Sequence, residues 1–313
     1  MTEPWSPATA LAARRIAVVV NGKSRRGREL FETAVDGLKA AGFTVTAAHA
    51  LRNPRLLGPT IDRLIAEGHD VIAVGGGDGT LAMAAGKLAG KPLLMAVLPF
   101  GTANSFARTL GIAPEVEPAV AVIADGDLAR ADVVEVADRH FINSATIGLP
   151  ARIAEDIPPG LKRWFGRLGY LGYACWKFVA LRPFMVTVTI PGQPAITEQV
   201  LEVRIGNGAF VGGLRVIDGA DPESRDVVIQ LVRGRYAASL AGVWAASLAG
   251  WRPARSRVRE IRARAFSIDC SPGQPLSIDG ETGLRTPVSV RVDPGSLHVI
   301  VPKGSDPETR AEV

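Results

Sequence analysis

A strand-like run that leads directly into four glycines constrains the fold of this chain most strongly. Residues 71–80 read Val-Ile-Ala-Val-Gly-Gly-Gly-Asp-Gly-Thr, and a helical pattern follows. Glycines allow backbone N–H groups to approach a phosphate closely, and the N-terminus of the next helix adds a favourable dipole. A tight turn with an aspartate cap explains one or two glycines but hardly four. The pattern therefore predicts a phosphate-binding turn that contains Gly75, Gly76, Gly77 and Gly79.

Asp78 is the unexpected residue of this turn. A carboxylate among amides that hold a phosphate is electrostatically unfavourable unless a metal ion or a proton-donating group lies between the two anions. The residue therefore indicates a phosphate site that works with a metal ion.

A second glycine turn, within Leu98–Arg108, follows the next apolar run and precedes another helical pattern. Its Thr102 and Asn104 offer a hydroxyl and an amide at a predicted helix start, where they either cap the helix or bind a ligand. Turns at the ends of consecutive parallel strands converge on one edge of a sheet, which favours the ligand.

The relaxed dinucleotide fingerprint is also met, by Gly77, Gly79 and Ala82. Such a site needs an acidic residue about 20 positions further on to hold a ribose. No acidic residue occurs between Asp78 and Glu115, so a Rossmann-type NAD site is not favoured.

The first third of the chain alternates β-branched runs with helical patterns, which predicts a doubly wound α/β domain with a mainly parallel sheet. From about Asp132 the pattern changes to alternating residues divided by Pro and Gly, as in 185–190, 226–232, 257–268 and 287–292. This change predicts a mostly antiparallel second domain. We place the domains at 14–131 and 132–294, leave open a return of 295–303 to the first, and expect flexible termini at 1–13 and 304–313.

Charge and cysteine content indicate the kind of partner and the cellular compartment. Lys and Arg number 36 against 31 Asp and Glu, giving a formal charge of +5, which favours an anionic partner. The two cysteines, Cys175 and Cys270, form neither a disulfide framework nor a metal-binding pair, and the histidines show no metal-ligand spacing. The longest uncharged stretch, Tyr236–Trp251, is shorter than a membrane span of about 20 residues. We expect a cytoplasmic protein without a transmembrane helix.

Several motifs resemble, in order, those of the diacylglycerol and sphingosine kinase-like lipid kinases, and most closely the bacterial YegS-type branch. The resemblance covers about residues 14–302. The motifs are Asn21-Gly-Lys-Ser24, Gly75-Gly-Gly-Asp-Gly-Thr80, Leu98-Pro-Phe-Gly-Thr-Ala-Asn104, Phe141-Ile-Asn143 with Gly148, Asn207-Gly208 before Gly212-Gly213, and Asp279-Gly-Glu281. NAD kinases share the second of these motifs, so an NAD kinase remains an alternative.

The resemblance implies a nucleotide-binding α/β domain, related to NAD kinase and diacylglycerol kinase, followed by an antiparallel β-sandwich. It implies transfer of the ATP γ-phosphate, with Mg²⁺, to the hydroxyl of a lipid such as diacylglycerol in a cleft between the domains. Asp78 and Asp132 match the acidic network around Mg²⁺, Asp279 matches the proposed general base, and Glu281 stands beside it. The positions that match nucleotide-binding residues are Asn21, Gly75, Gly76, Gly77, Gly79, Thr80, Gly101, Thr102 and Asn104.

Other roles stay open for two of these carboxylates. Asp279 and Gly280 also form a good hairpin-turn signal, and Asp132 beside Arg130 could form a surface salt bridge. The chain also departs from the family, because Ser105 replaces an aspartate and segment 220–226 lacks the Asp-Gly pair associated with a structural Mg²⁺.

Two basic regions indicate how a lipid could approach. Residues 157–197 carry five basic and no acidic residues among many aromatic ones, and apolar residues from Leu161 to Val179 follow helical spacing. Such a helix either lies on an anionic bilayer or packs on the sandwich. Val227–Arg264 holds eight arginines and one glutamate. No nucleic-acid-binding signature accompanies them, so we expect lipid headgroups and peripheral membrane contact.

The sequence leaves two alternatives to a lipid kinase: an NAD kinase-like enzyme and an inactive module that binds nucleotide or lipid. The acceptor lipid and the oligomeric state are not specified, because any apolar residues can line a pocket for a lipid tail.

Overall fold

A computed structural model describes residues 15–22, 25–149, 151–152, 181–249, 251 and 257–305. The chain divides into two compact units. The first contains the residues up to Val133, Asp221–Arg225 and the residues from Asp293 onward, and the second contains Val134–Ala220 and Asp226–Val292.

The first unit is a parallel sheet flanked by helices. Its strand order is β17-β4-β3-β1-β2, with parallel pairing throughout. The strands are β1 (Arg15–Asn21), β2 (Thr44–Leu51), β3 (Val71–Gly76), β4 (Leu94–Pro99) and the end of β17 (Val288–Val301), and the helices are α1 (Arg25–Ala40), α2 (Leu57–Ala66), α3 (Asp78–Leu88), α4 (Ser105–Thr109) and α5 (Val116–Asp125).

The burial of the central strands explains this architecture. All residues of β3 and β4 are buried, as are the five central residues of β1. A parallel strand covered on both faces must be apolar along its whole length rather than alternating. The predicted doubly wound α/β fold is therefore confirmed.

The last strand completes the sheet of the first unit from the far end of the chain. His298 and Val299 pair with Leu94 and Met95 of β4. Residues 221–225 also belong to the first unit, although their sequence surroundings group them with the second domain. Both segments are therefore distant in sequence from the unit that they complete.

The second unit is antiparallel, as predicted. Its strands follow the order β16-β15-β7-β9-β8-β14-β17, and β12 pairs with both β9 and β13. They are β5 (Asp127–Val136, which begins in the first unit), β6 (Arg139–Phe141), β7 (Ser144–Gly148), β8 (Phe184–Thr189), β9 (Ile196–Gly206), β10 (Phe210–Val211), β11 (Leu214–Arg215), β12 (Val227–Arg233), β13 (Val258–Ala263), β14 (Ala265–Ser271), β15 (Pro275–Ile278) and β16 (Glu281–Arg285), with helix α6 (Ala237–Leu248).

The alternating pattern over 257–268 corresponds to two strands rather than one. The break falls at Arg264, so that β13 pairs with β12 while β14 pairs with β8 and β17. The apolar residues change parity at the break, from Ile261, Ala263 and Ala265 to Phe266 and Ile268, so the sequence carries a signal that reading 257–268 as one alternating segment overlooks. Across the unit, alternate residues such as Val203, Ile205 and Ile229 form one buried apolar core.

The uncharged stretch from Tyr236 to Trp251 contains α6, which has 12 residues. Within the described part of the chain, no helix is both long enough and apolar enough to cross a bilayer.

A buried ion pair lies on the face of β9 that α6 covers. Arg204 donates from Nε to Glu202 Oε1 at 2.5 Å, and neither side chain is exposed. Trp244 of α6 donates to Glu202 Oε2 at 3.2 Å, and the Arg204 guanidinium lies 4.5 Å from the centre of a Trp244 ring. Burial removes each charge from water, which is unfavourable, so each of the two side chains needs the other as its counterion.

We expect Glu202→Ala to lower the free energy of unfolding by about 3–5 kcal/mol, because it leaves the Arg204 charge buried without its counterion. The double variant Glu202→Met with Arg204→Met removes both charges and should be substantially more stable than the single variant. Urea unfolding followed by circular dichroism measures both effects. Equal stability of the single and double variants would contradict this account of the pair.

Candidate functional site

The carboxyl ends of three neighbouring parallel strands lie along one edge of the first unit. Val20 of β1 pairs with Gly75 of β3, which pairs with Leu98 of β4. The strands then end at Asn21, Gly76 and Pro99. Asn21 and both glycine turns therefore lie at the same edge, which is where parallel α/β sheets bind ligands.

The two glycine turns pack backbone against backbone. A Cβ added at Gly101 would lie 2.5 Å from Gly77 Cα and 2.7 Å from Asn104 Oδ1. Phe100 N also donates to Gly76 O at 3.1 Å. No side chain fits at Gly101, so this glycine is required for the fold of the edge itself.

Packing also accounts for two of the four glycines that predicted a phosphate turn. A Cβ at Gly75 would lie 2.5 Å from Val20 Cγ1, and a Cβ at Gly76 would collide with the Thr80 side chain. Gly77 differs, because its Cβ would meet only Gly101 Cα at 3.5 Å, an ordinary contact. Of these three glycines, Gly77 is therefore the one whose presence a steric argument does not explain.

Asp78 connects the two turns. It is the first residue of α3, and its Oδ1 accepts a hydrogen bond from Phe106 N of α4 at 3.0 Å. Among the residues that the structure describes, none donates to its Oδ2. One carboxylate oxygen is therefore fixed in place and the other is available for a ligand.

Asn104 stabilises the second glycine turn through hydrogen bonds to the backbone of the turn. Its backbone is left-handed (φ 48°), its Oδ1 accepts from Gly101 N at 2.8 Å, and its Nδ2 donates to Pro99 O at 3.1 Å. The side chain makes no cap hydrogen bond and is 3% exposed. It thus shapes the turn, whereas Thr102 is exposed at the tip and Thr80 is half-buried in α3.

Asp132 is fully buried, which excludes the surface salt bridge that the sequence left open as an alternative role. Its Oδ2 accepts from Arg225 N at 2.6 Å, its Oδ1 accepts from Gly295 N at 2.7 Å, and its own N–H donates to Pro222 O at 2.6 Å. These hydrogen bonds hold segments 221–225 and 293–295 against Asp132, which explains why both segments belong to the first unit.

The metal-ligand role implied for Asp132 does not fit this geometry, because both oxygens hold backbone N–H groups and no part of the side chain is exposed. The described ranges contain no cluster of three His, Cys, Asp or Glu residues that could hold a metal ion. Asp78 does fit Mg²⁺, since this ion is commonly held by one or two carboxylates together with the phosphates of a substrate.

Burial also changes the acidity of Asp132. Desolvation raises the pKa of its carboxyl to about 6, against the lowering effect of the backbone donors of Gly295 and Arg225, and nearby Asp221 raises it further. Burial therefore outweighs the backbone donors and the nearby Arg225 charge, which both favour the ionised form.

Asp279 occupies the two-residue turn between β15 and β16. Asp279 and Gly280 both have positive φ, 43° and 86°, which is the pattern of a type I′ hairpin turn. The hairpin interpretation of this motif is therefore confirmed. Glu281, the first residue of β16, is exposed.

The carboxylate of Asp279 also has specific partners. Its Oδ2 accepts from Ile142 N at 3.0 Å and its Oδ1 from Ser144 N at 2.8 Å, while its own N–H donates to Ser144 O at 2.9 Å. Two backbone donors stabilise an ionised carboxylate and fix its orientation. A carboxylate oxygen has two lone pairs, so accepting one hydrogen bond does not by itself prevent it from accepting a proton.

Two buried asparagines support this arrangement, and the sequence assigned them no role. Asn207 donates from Nδ2 to Ile142 O at 2.7 Å and from its backbone N–H to Asn143 O at 2.9 Å. Asn143 donates from Nδ2 to Phe210 O. These bonds hold residues 142–144, whose amides hold Asp279. The one available signal was the presence of both asparagines in the resemblance motifs.

The two basic regions differ in how much of each the structure describes. The predicted amphipathic segment from Leu161 to Val179 lies outside the described residues. In the second region, Arg233 and Arg259 both bind Glu198, and Arg262 binds Asp226. Part of its positive charge is therefore neutralised within the unit.

Comparison with known families covers both units. Residues 15–136 match the family described as the diacylglycerol kinase catalytic domain. Residues 143–301 match the family described as the YegS C-terminal NAD kinase beta sandwich-like domain. The first match includes the three strand ends, and the second includes the Asp279 hairpin. The chain therefore belongs to the diacylglycerol kinase-like family, with the YegS type of C-terminal domain.

Individual relatives agree with this assignment. A Staphylococcus aureus (strain MSSA476) protein named as a candidate lipid kinase is 24% identical over 235 residues, covering 74% of this chain and 77% of that protein. Two Bacillus anthracis str. Sterne structures titled as candidate diacylglycerol kinases give TM-scores of 0.74 and 0.76, at 24% and 23% identity. Both cover 92% of this chain, and 95% and 97% of their own. These structures share its fold.

We expect Gly101→Ala to lower the free energy of unfolding by about 1–3 kcal/mol, because its methyl group collides with backbone. Gly77→Ala is the matched control. Gly77 has φ −86°, which alanine adopts freely, and the substitution should change stability by no more than about 1 kcal/mol. Chemical unfolding measures both, and a larger loss in Gly77→Ala would contradict the steric account of this edge.

Asp132 should make stability depend on pH. Because its pKa is raised in the folded state, its contribution is most favourable below pH about 4 and is lost as the pH rises through about 6. Asp132→Asn does not titrate. The unfolding free energy of the wild type relative to this variant should fall by up to about 3 kcal/mol between pH 4 and pH 7, with EDTA present. A constant difference across this range would show that burial does not raise the Asp132 pKa.

Proposed function

We propose that the protein transfers the γ-phosphate of ATP to the hydroxyl of a lipid such as diacylglycerol. The observation that carries the proposal is Asp78, fixed through Oδ1 by the Phe106 amide with Oδ2 left available, at an edge built from two glycine turns. Phosphoryl transfer requires mainly positioning and charge neutralisation, which such an edge can supply. Membership of a kinase family supports ATP as the phosphate donor.

In this proposal the ATP phosphates bind at the first glycine turn. The backbone at Gly77 and Gly79 and the N-terminus of α3 provide N–H groups and a positive dipole end for them. Asn21, Thr80 and Thr102 are the polar side chains along the same edge. Bound Mg²⁺, held by Asp78 and the phosphates, would neutralise charge on the transferred group.

Asp279 is the proposed general base. The amides of Ile142 and Ser144 hold its carboxylate in one orientation and favour its ionised form. An ionised carboxylate can accept the proton of the lipid hydroxyl as the hydroxyl oxygen attacks phosphorus. Glu281, exposed beside the hairpin, is the second candidate acid or base.

Transfer of labelled γ-phosphate from ATP and Mg²⁺ to lipids in mixed micelles tests the proposal, with NAD assayed in parallel. We expect labelled lipid, and a fall of at least about 10²-fold in kcat for Asp279→Asn. Asparagine tolerates the left-handed turn, so the hairpin should persist. Asp78→Asn retains an acceptor for Phe106 N and should reduce transfer by a similar factor.

Two further variants complete the test, one as a control and one as a probe of the glycine turn. Asp269→Asn removes an exposed carboxylate from β14 and should leave kcat unchanged. Gly77→Ala should weaken ATP binding at least about tenfold while the protein remains folded, because a methyl group would occupy the space that a phosphate approaches. Labelled NADP without labelled lipid would refute the proposal in favour of an NAD kinase. ATP binding without transfer to any acceptor would indicate a binding module.

A further inference from the structure

Helix α6 has an exposed face without charge. Its exposed residues, Ala238, Ala241, Gly242 and Ala245, recur at helical spacing, and the helix contains no charged residue. The opposite face buries Leu240 and Val243 in a small apolar cluster. Small side chains leave the exposed face smooth, so a flat surface could approach the helix closely.

Two large exposed aromatic residues flank this helix in sequence. Tyr236, immediately before α6, is 73% exposed, and Trp251, three residues beyond its end, is 72% exposed. They are the most exposed of the large hydrophobic residues in the described chain. Tyr and Trp combine an apolar ring with a polar group, which suits them to the interface between water and lipid.

Positive charge lies beside the same helix. Arg235 precedes Tyr236 and is exposed, and exposed Arg257 has its Nη1 only 3.2 Å from the position that a Cβ would occupy at Gly242. Neither has an acidic partner within the described ranges, unlike Arg233, which binds Glu198. This charge is therefore available to an anionic surface.

We propose that α6, Arg235, Tyr236, Trp251 and Arg257 form a docking surface, the α6 surface, that lies flat on an anionic lipid bilayer. The uncharged face approaches the headgroups, the aromatic rings enter the interface, and the arginines bind lipid phosphates. A helix of 12 residues is too short to span the bilayer, so it lies parallel to it. The proposal goes beyond kinase activity, and it is tested without catalysis.

Co-sedimentation of the full chain with vesicles tests the α6 surface. The vesicles are made of phosphatidylcholine alone or of phosphatidylcholine mixed with phosphatidylglycerol. We expect binding to the mixed vesicles, weakened at least about tenfold by Tyr236→Ser with Trp251→Ser. Arg235→Gln with Arg257→Gln should weaken it by about fivefold per arginine.

Matched controls remove the same chemical groups elsewhere in the second unit. Met185→Ser removes a side chain that is 39% exposed on β8, and Arg264→Gln removes an exposed charge at the other end of β13 from Arg257. Both should bind vesicles like the wild type. A blue shift of tryptophan emission on binding mixed vesicles should be smaller in Trp251→Phe, because this ring enters the interface.

The outcomes separate this proposal from the kinase proposal. Wild-type protein that ignores anionic vesicles, or α6-surface variants that bind them as tightly as the wild type, would overturn the docking surface. An equal loss of binding in the control variants would overturn it as well. Vesicle binding that is lost only in the α6-surface variants would support docking, even if no lipid accepted phosphate.

Discussion

The charge-assisted hydrogen bond from a backbone N–H to an aspartate oxygen is the interaction on which the irregular parts of both units depend. Asp78 holds Phe106, Asp132 holds Arg225 and Gly295, and Asp279 holds Ile142 and Ser144. The N–H groups of Ile142 and Arg225 lie outside helices and strands, and that of Phe106 lies in the first turn of α4, so none of these three has a partner within a regular element. The three carboxylates therefore have a structural role in holding these segments, in addition to any chemical role.

The fold could largely be predicted because its signals are local. Continuous apolar runs for β3 and β4, alternation in the second unit and glycine turns at strand ends are all visible within a few residues. The hydrogen bonds from the backbone of Arg225 and Gly295 to Asp132 could not be predicted, because 93 and 163 residues separate the donors from the acceptor. Nothing in their local sequence marks a hydrogen bond between them.

The candidate site could be predicted only in part, because a glycine or an aspartate at these positions can serve either the packing of the fold or the binding of a ligand. Four turn glycines within five residues indicate a phosphate site, yet Gly75 and Gly76 are also required by the packing of Val20 and Thr80. Asp279 is likewise both a hairpin residue and an oriented carboxylate. Sequence indicates that these positions are constrained, whereas only coordinates separate a steric constraint from an available ligand group.

The order of the chain through the two units has a consequence for synthesis on the ribosome. The first unit is interrupted after Val133 and again after Arg225, and it resumes at Asp293. A nascent chain that has emerged only to Val133 lacks β17, one of the two strands that pair with β4, and both backbone donors of Asp132. The first unit therefore completes its fold only after the second unit has been translated, so the first domain in sequence is the last to finish.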